Sequence, residues 1–336
     1  MKLKKIFLAL SIMTLSIGTT LTYLLQPSGH IGDFSTLQPD ASSTISDGLK
    51  VHFFGVSTLL FDNGQEQILI DGFFSRPSLW QVLTSKLSSN SNLISDLIQQ
   101  YELHRTQAVV VSHSHYDHAL DLAEIAKQLP QSIIMGSTSS LNIVQNQPQI
   151  KTSQLQTVKP WMPQKFNHFQ ITAIPSQHTP PTLVNNDLGE KITHSFHLPA
   201  KFSEFKEGGS FDYLIEHQGQ RILVKASTGF IPKQYQNMQV DVLFLGIAQL
   251  SKQSKQYQQQ YLNETLATLK PKLVIPIHWD DFFQPLDSSL IFLPRFADNV
   301  PRSLEILIQA AQQQHTKVTL LTKPEAFNLS SYRLHK

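Results

Sequence analysis

The sequence predicts an α/β domain built on two β-layers. Short runs rich in Val, Ile, Leu and Phe recur between residues 51 and 135, and a second series recurs between 169 and 245. Segments with helical spacing of apolar residues lie between and after them. With 336 residues and 40% hydrophobic content, the chain can form one large domain or two small ones around a sizeable core.

The elements follow in order. Val51-His52-Phe53-Phe54 and Thr58-Leu59-Leu60-Phe61 read as strands, and Asp62-Asn63-Gly64 is a hairpin signal before a strand at 67–71. Residues 78–103 read as mostly helical, broken near Ser88-Ser89-Asn90. Ala108-Val109-Val110-Val111 reads as a buried strand. Ala119, Leu122, Ala123, Ala126 and Leu129 then recur at helical spacing and stop at Pro130. Ile133-Ile134-Met135 is the next strand, and the second series covers 169–174, 211–216, 220–225 and 240–245. A Gln-rich helix is expected over 255–269, with Tyr257, Tyr261, Leu262, Leu266 and Leu269 on its apolar side. Leu304, Leu307, Ile308 and Ala311 mark a last helix, followed by a strand at 317–321.

Composition excludes several functions. The net charge is +2 and no basic patch alternates with aromatics, so nucleic acid is not an expected partner. The absence of cysteine excludes disulfides, a Cys nucleophile and thiolate ligands. Gly-x-Ser-x-Gly and a Gly-rich phosphate loop are also absent. Charged residues make up only 15%, so the polar surface must come from Gln, Ser, Asn and Thr.

The N-terminus carries Lys2, Lys4 and Lys5 ahead of twenty uncharged residues, 6–25. This is either a cleavable signal peptide, with Ser16-Ile17-Gly18 as a small-x-small site, or a membrane anchor of about 20 residues. With the positive end retained in the cytoplasm, either reading predicts an exported protein, periplasmic or anchored to the inner membrane facing the periplasm. The expected organisation is 1–25 signal or anchor, 26–48 flexible linker and 49–336 a single domain.

The chemistry concentrates in His113-Ser114-His115-Tyr116-Asp117-His118, directly after the strand at 108–111. A strand fixes the backbone, and a tight loop turns three imidazoles and a carboxylate toward one point. These ligand types suit zinc, iron or manganese; the lack of thiolate argues against copper(I) or an iron–sulfur cluster.

This H-x-H-x-D-H pattern resembles the signature of the metallo-β-lactamase superfamily. The resemblance continues through Asp71 after Gln67-Ile68-Leu69-Ile70, His178 after Ile171-Thr172-Ala173-Ile174, and His278 after Leu273-Val274-Ile275-Pro276-Ile277. It spans roughly 49–325 and implies a four-layer αββα sandwich. Phe53-Phe54-Gly55-Val56-Ser57-Thr58, Ile70-Asp71-Gly72-Phe73-Phe74-Ser75 and Tyr116 are similar in wording to the branch of ascorbate-phosphate lactonases and N-acyl phosphatidylethanolamine phospholipases D.

The resemblance implies that His113, His115 and His178 hold one metal and that Asp117, His118 and His278 hold a second, about 3.5–4 Å away. It implies catalysis by a metal-bound hydroxide, with Asp117 either a ligand or an orienter of the attacking water. Asp71 is expected to hydrogen-bond the ligand loop rather than to ligate. One departure stands out: Ser227, in Val224-Lys225-Ala226-Ser227-Thr228-Gly229, takes the place of the family's bridging aspartate. A neutral hydroxyl is a poor ligand. The site is then mononuclear, or Asp280 or Asp281 substitutes, or Lys225 projects toward the site to bind an anionic substrate.

A long polar stretch from His178 to Gly208, with Asn185, Asn186, His194 and His197, either roofs the pocket or is a solvated excursion. Trp279, Phe282 and Phe283 line a pocket mouth or belong to the core. The expected function is hydrolysis of an ester, lactone, amide or phosphodiester in a small-molecule or lipid-derived substrate, with zinc, or else manganese or iron. Two alternatives are kept: an envelope protein that binds metal or ligand with a degenerate site and little turnover, and an iron-dependent thioester or redox enzyme of the same fold.

Overall fold

A computed structural model describes residues 2–39, 48–145, 147–182, 186–286 and 289–333; in the first helix, side chains are described for Phe7, Ser11 and from Met13 onward. Fourteen strands form two sheets of seven among these residues. The first sheet is built from β1 (Lys50–Phe53), β2 (Leu59–Asp62), β3 (Gln67–Ile70), β4 (Thr106–Val110), β5 (Ile133–Gly136) and β6 (Leu155–Thr157). The second is built from β7 (Gln164–Phe166), β8 (Phe169–Ser176), β9 (Ser210–His217), β10 (Gln220–Lys225), β11 (Val242–Gly246), β12 (Leu273–Ile277) and β13 (Lys317–Val318). The chain then returns to the first sheet as β14 (Phe327–Asn328), beside β1. In each sheet, antiparallel pairing gives way to parallel pairing, at β3/β4 and at β10/β11.

The helices are α1 (Lys2–Leu25), α2 (Leu79–Thr84), α3 (Ser91–Gln100), α4 (Tyr116–Ala119), α5 (Leu122–Gln128), α6 (Thr138–Val144), α7 (Lys255–Leu262) and α8 (Val300–Gln313). Strand alternation sorts the first sheet's residues between two cores. Leu59, Phe61, Ile68, Ile70, Ala108 and Val110 face the second sheet. Leu60, Leu69, Val109 and Ile134 face Ile94, Leu97, Ile125 and Leu141 of α3, α5 and α6. Phe61 meets Phe244 of the second sheet edge-on, ring centroids 5.6 Å apart. Tyr261, Leu262, Leu304, Leu307 and Ala311 of α7 and α8 are buried with the second sheet. The layering is αββα, and each fully buried side chain of this kind contributes about 1.5–3 kcal/mol.

Several elements go beyond the sequence reading. α6, β6, β7 and β14 were not predicted; the three strands are only two or three residues long and carry no alternation to read. The expected strand at 317–321 pairs only over Lys317–Val318, although Thr319 N still donates to Val274 O at 3.1 Å. The helix expected over 255–269 passes at Asn263 into a π-helical turn, Asn263–Ala267.

The N-terminal segment is helical over Lys2–Leu25, and its side chains from Met13 to Leu25 are exposed. Among the described residues no helix is long and apolar enough to cross a membrane, so the anchor expectation gains no support there. Residues 26–38 of the expected linker lie against the domain: Pro27 bridges to Pro294, and Leu37 O accepts from Leu320 N at 2.8 Å. Residues 40–47 of that linker, and Asn185 of the polar stretch, lie outside the described residues.

Candidate metal centre

The centre sits where strands end. Ile70 pairs with Val110 in parallel register, so β3 and β4 finish side by side and deliver Asp71 and the 113–118 loop to one place. His178 follows β8, Ser227 follows β10 and His278 follows β12, on the facing sheet. Phe211 N donates to Ser112 O at 2.8 Å, which ties the two sheets together at this edge.

Asp71 organises the ligand loop. Its Oδ1 accepts from Ser112 N at 2.7 Å, and its Oδ2 lies 2.8 Å from His118 Nδ1. Ser112 Oγ and Ser57 Oγ also donate to Oδ2. With Nδ1 donating to Asp71, His118 presents Nε2 outward. Asp71 and His278 both have left-handed backbones, φ 57° and 58°, a conformation that costs a side-chain-bearing residue about 1–3 kcal/mol.

Two groups of three ligand-type residues result. His113, His115 and His178 form one, and Asp117, His118 and His278 the other; within each group, the ligand atoms lie within 4.8 Å of one another. The ring centroids of His113 and His115 are each 4.7 Å from that of His178, and His113 lies 3.8 Å from His118. His113 Nε2 and His118 Nε2 are buried without a hydrogen-bond partner, as is His278 Nδ1, on the side of its ring opposite the Nε2 that meets Asp117. Buried polar atoms are normally satisfied, and an orphan costs about 1–3 kcal/mol.

The electrostatics agree with a cation. Burial, reinforced by the neighbouring imidazoles, pushes His113 well below the usual histidine range and His178 down to about 3, so both are neutral with a lone pair to give. Burial alone would raise Asp117, but His118 and His278 outweigh it and leave the carboxyl well below its usual range. Burial would lower His278, but its contact with Asp117 raises it instead. The neutral imidazoles of His113 and His178, the ionised Asp117 and three ligand atoms per group fit a divalent ion with an open coordination position in each.

Other expectations are corrected. Lys225 does not project to the site: it is buried, with Nζ 3.2 Å from Asp212 Oδ2 and 3.1 Å from Ser176 Oγ, and 6.0 Å from the Tyr261 ring. Asp280 does not substitute as a ligand, because it is buried in an ion pair with Arg76 and accepts from Val56 N at 2.6 Å. Asp281 caps its own turn, accepting from Phe283 N and Gln284 Nε2, each at 3.1 Å. Trp279 is core, packed on Phe53 and Phe292, whereas Phe282 lies 5.8 Å from the His278 ring and 6.4 Å from that of Tyr116.

Ser227 faces the His178 loop: its Oγ accepts from Thr179 N at 2.9 Å. Gly229 explains how close that loop runs, since a Cβ there would lie 2.2 Å from the carbonyl oxygens of Gln177 and His178. His194 and His197 are exposed. Sequence reading missed Ser57, Ser112 and Arg76 as supports, and Asp187, whose Oδ1 lies 3.1 Å from His115 Nε2. Ser57 stood in the segment that carried the resemblance; Asp187 had no local signal, being 72 residues from its partner.

A family model described as a beta-lactamase superfamily domain matches residues 66–279. Similar solved structures include Igni18, a metallo hydrolase from Ignicoccus hospitalis (16% identity, 83% of this chain and 97% of that one, TM-score 0.50). YhfI from Bacillus subtilis, described as a metallo-beta-lactamase fold protein, is also 16% identical (84% and 100%, TM-score 0.50). CmlA from Streptomyces venezuelae, a diiron beta-hydroxylase, is 13% identical, and the match covers 84% of this chain but 54% of that one (TM-score 0.53). At these identities the likeness is one of fold. Among curated proteins no sequence match is significant.

The Arg76–Asp280 pair braces the centre, because the backbone of 54–57 and that of 278–281 both hang on it. Arg76 also donates to Phe54 O and Asp281 O, and His278 N donates to Val56 O at 2.7 Å. Arg76→Ala should lower stability by about 3–5 kcal/mol, by stranding a buried carboxylate. Adding Asp280→Ala should recover part of that loss in urea unfolding; a double variant as unstable as the sum of the singles would disprove the brace.

Proposed function

The chain belongs to the beta-lactamase superfamily, and from that premise we propose that it is a metal-dependent hydrolase of ester, lactone or phosphodiester bonds. The observation that carries this reading is the convergence of the two three-residue groups with orphaned imidazole nitrogens. A divalent ion held there, zinc in this reading, lowers the pKa of water toward about 7 and polarises the carbonyl or phosphoryl oxygen under attack.

The protein's own residues position and exclude. Asp117, kept ionised, places Oδ2 3.4 Å from His278 Nε2 and 3.6 Å from His118 Nε2. From there it either ligates or orients the attacking water by accepting its hydrogen bond. Tyr116 sits among Phe73, Phe202 and Phe282, ring centroids 6.0–6.4 Å away, an apolar wall beside the ligands. That wall suits the acyl or lipid-derived part of a substrate.

Zinc- or manganese-loaded protein should turn over bis-p-nitrophenyl phosphate, a member of a lactone panel, or a cephalosporin, and His115→Ala should abolish it. Ser227 favours a second reading, a binding protein with a degenerate site. Wild-type protein that binds the ion yet is as inert as His115→Ala on every substrate would establish that second reading. Iron retained on purification without added metal, together with such inertness, would point instead to redox or thioester chemistry.

Ser227 also governs stoichiometry in this proposal. Ser227→Asp puts a carboxylate at the position the resemblance assigns to the bridging aspartate and should bring bound zinc closer to two ions per chain in chelator competition. Unchanged stoichiometry and affinity would show that this position does not bridge.

We extend the proposal to location: export, with the domain periplasmic or held at the inner membrane by residues 1–25. Lys2, Lys4 and Lys5 ahead of an uncharged stretch support it. Cell fractionation with N-terminal sequencing is the check, and a full-length cytosolic product would sink it.

A further inference from the structure

We propose that Asp187 is a positioning residue for the first ligand group: it holds His115 by Nε2, so that Nδ1 is the nitrogen offered to the ion. This rests on the metal reading above. Asp187 Oδ1 and Oδ2 lie 3.1 and 3.2 Å from His115 Nε2. The two nitrogens of an imidazole face opposite sides of the ring. A carboxylate on Nε2 therefore lies away from an ion on Nδ1 and is not its ligand. With Nε2–H donating to Asp187, the lone pair sits on Nδ1 and the ring cannot rotate freely.

The neighbouring ligands are held the other way round. His118 gives Nδ1 to Asp71, and His178 Nδ1 lies 3.2 Å from Thr179 O. His115 thus approaches with the opposite nitrogen. That orientation needs a partner of its own, and neither Asp71 nor the 113–118 loop supplies it.

Asp187 is braced for this task. Its Oδ2 accepts from Glu207 N at 3.0 Å. The Glu207 carboxylate accepts from Gly189 N, Gly209 N and Ser210 Oγ at 3.2, 3.1 and 2.5 Å. Ser114, between the two ligand histidines, donates N–H to Glu207 O at 3.1 Å and Oγ–H to Lys206 O at 2.7 Å. The approach is so close that a Cβ on Gly208, at φ +71°, would lie 2.0 Å from Ser114 Oγ. The acid and the histidine it holds are therefore fixed to the same short stretch of backbone.

The test is zinc affinity by chelator competition, with the visible spectrum of the cobalt-substituted protein and the melting temperature of the metal-free protein. Asp187→Ala should bind zinc about 10–100-fold more weakly, the usual loss when such a partner is removed, and alter the cobalt spectrum. Asp187→Asn keeps an oxygen acceptor for Nε2–H and should recover most of the affinity, a rescue that a purely structural role for the loop would not predict if both variants melt like wild type. Wild-type affinity and an unchanged cobalt spectrum in Asp187→Ala would overturn the assignment. If Asp187→Ala fails to fold, Asp187→Asn decides alone: a 10-fold or greater loss with the fold intact would overturn the acceptor role. A wild-type protein that binds neither zinc nor cobalt would remove the metal reading itself, a failure distinct from the other two.

Discussion

Parallel pairing at the centre of each sheet is the constraint on which the rest depends. Parallel strands end on the same side, so the loops after them share an edge. Ile70 is level with Val110, Lys225 with Leu245, and Gly246 with Ile277. One or two residues beyond the ends of these strands stand Asp71, Ser112, Ser227 and His278. No ligand has to reach far, because the backbone register already sets the spacing. Antiparallel pairing at the same places would have sent alternate strand ends to opposite edges.

Placing imidazoles there carries a cost. Three of their nitrogens are buried without partners, and two residues at the edge hold left-handed backbones. Each such feature costs on the order of 1–3 kcal/mol. The surrounding scaffold is what holds them: Asp71 with its serines, the buried Arg76–Asp280 pair and the 5.6 Å contact of Phe61 with Phe244.

Ser227 is neutral and holds the end of β10 against the loop that carries His178. The Thr179 contact and the Gly229 close approach keep the strand end against the His178 loop. Asp117 is the one carboxylate in the two groups. The nearby acids add no second one. Asp280 and Asp281 are committed to Arg76, Val56 and their own turn, and Asp212 to Lys225.

The sequence by itself determined most strands and four of the six ligand-type residues, because periodicity and the dense 113–118 motif are local properties of the chain; the αββα layering, His178 and His278 were legible only through the resemblance to a family. The helix at 255–269 and the strand at 317–321 were legible in kind but not in extent, since their ends are set by neighbours. β6, β7 and β14 were illegible because two or three residues carry no period. Tertiary structure alone decided where Lys225, Asp280 and Asp281 point, although each is within three residues of a site position. Strand alternation and buried ion-pair partners settle that, and neither is encoded by proximity in sequence. It alone also brought Asp187 to His115 across 72 residues, through a loop whose course depends on hydrogen bonds to Ser114 and Glu207 that exist only once both sheets have met.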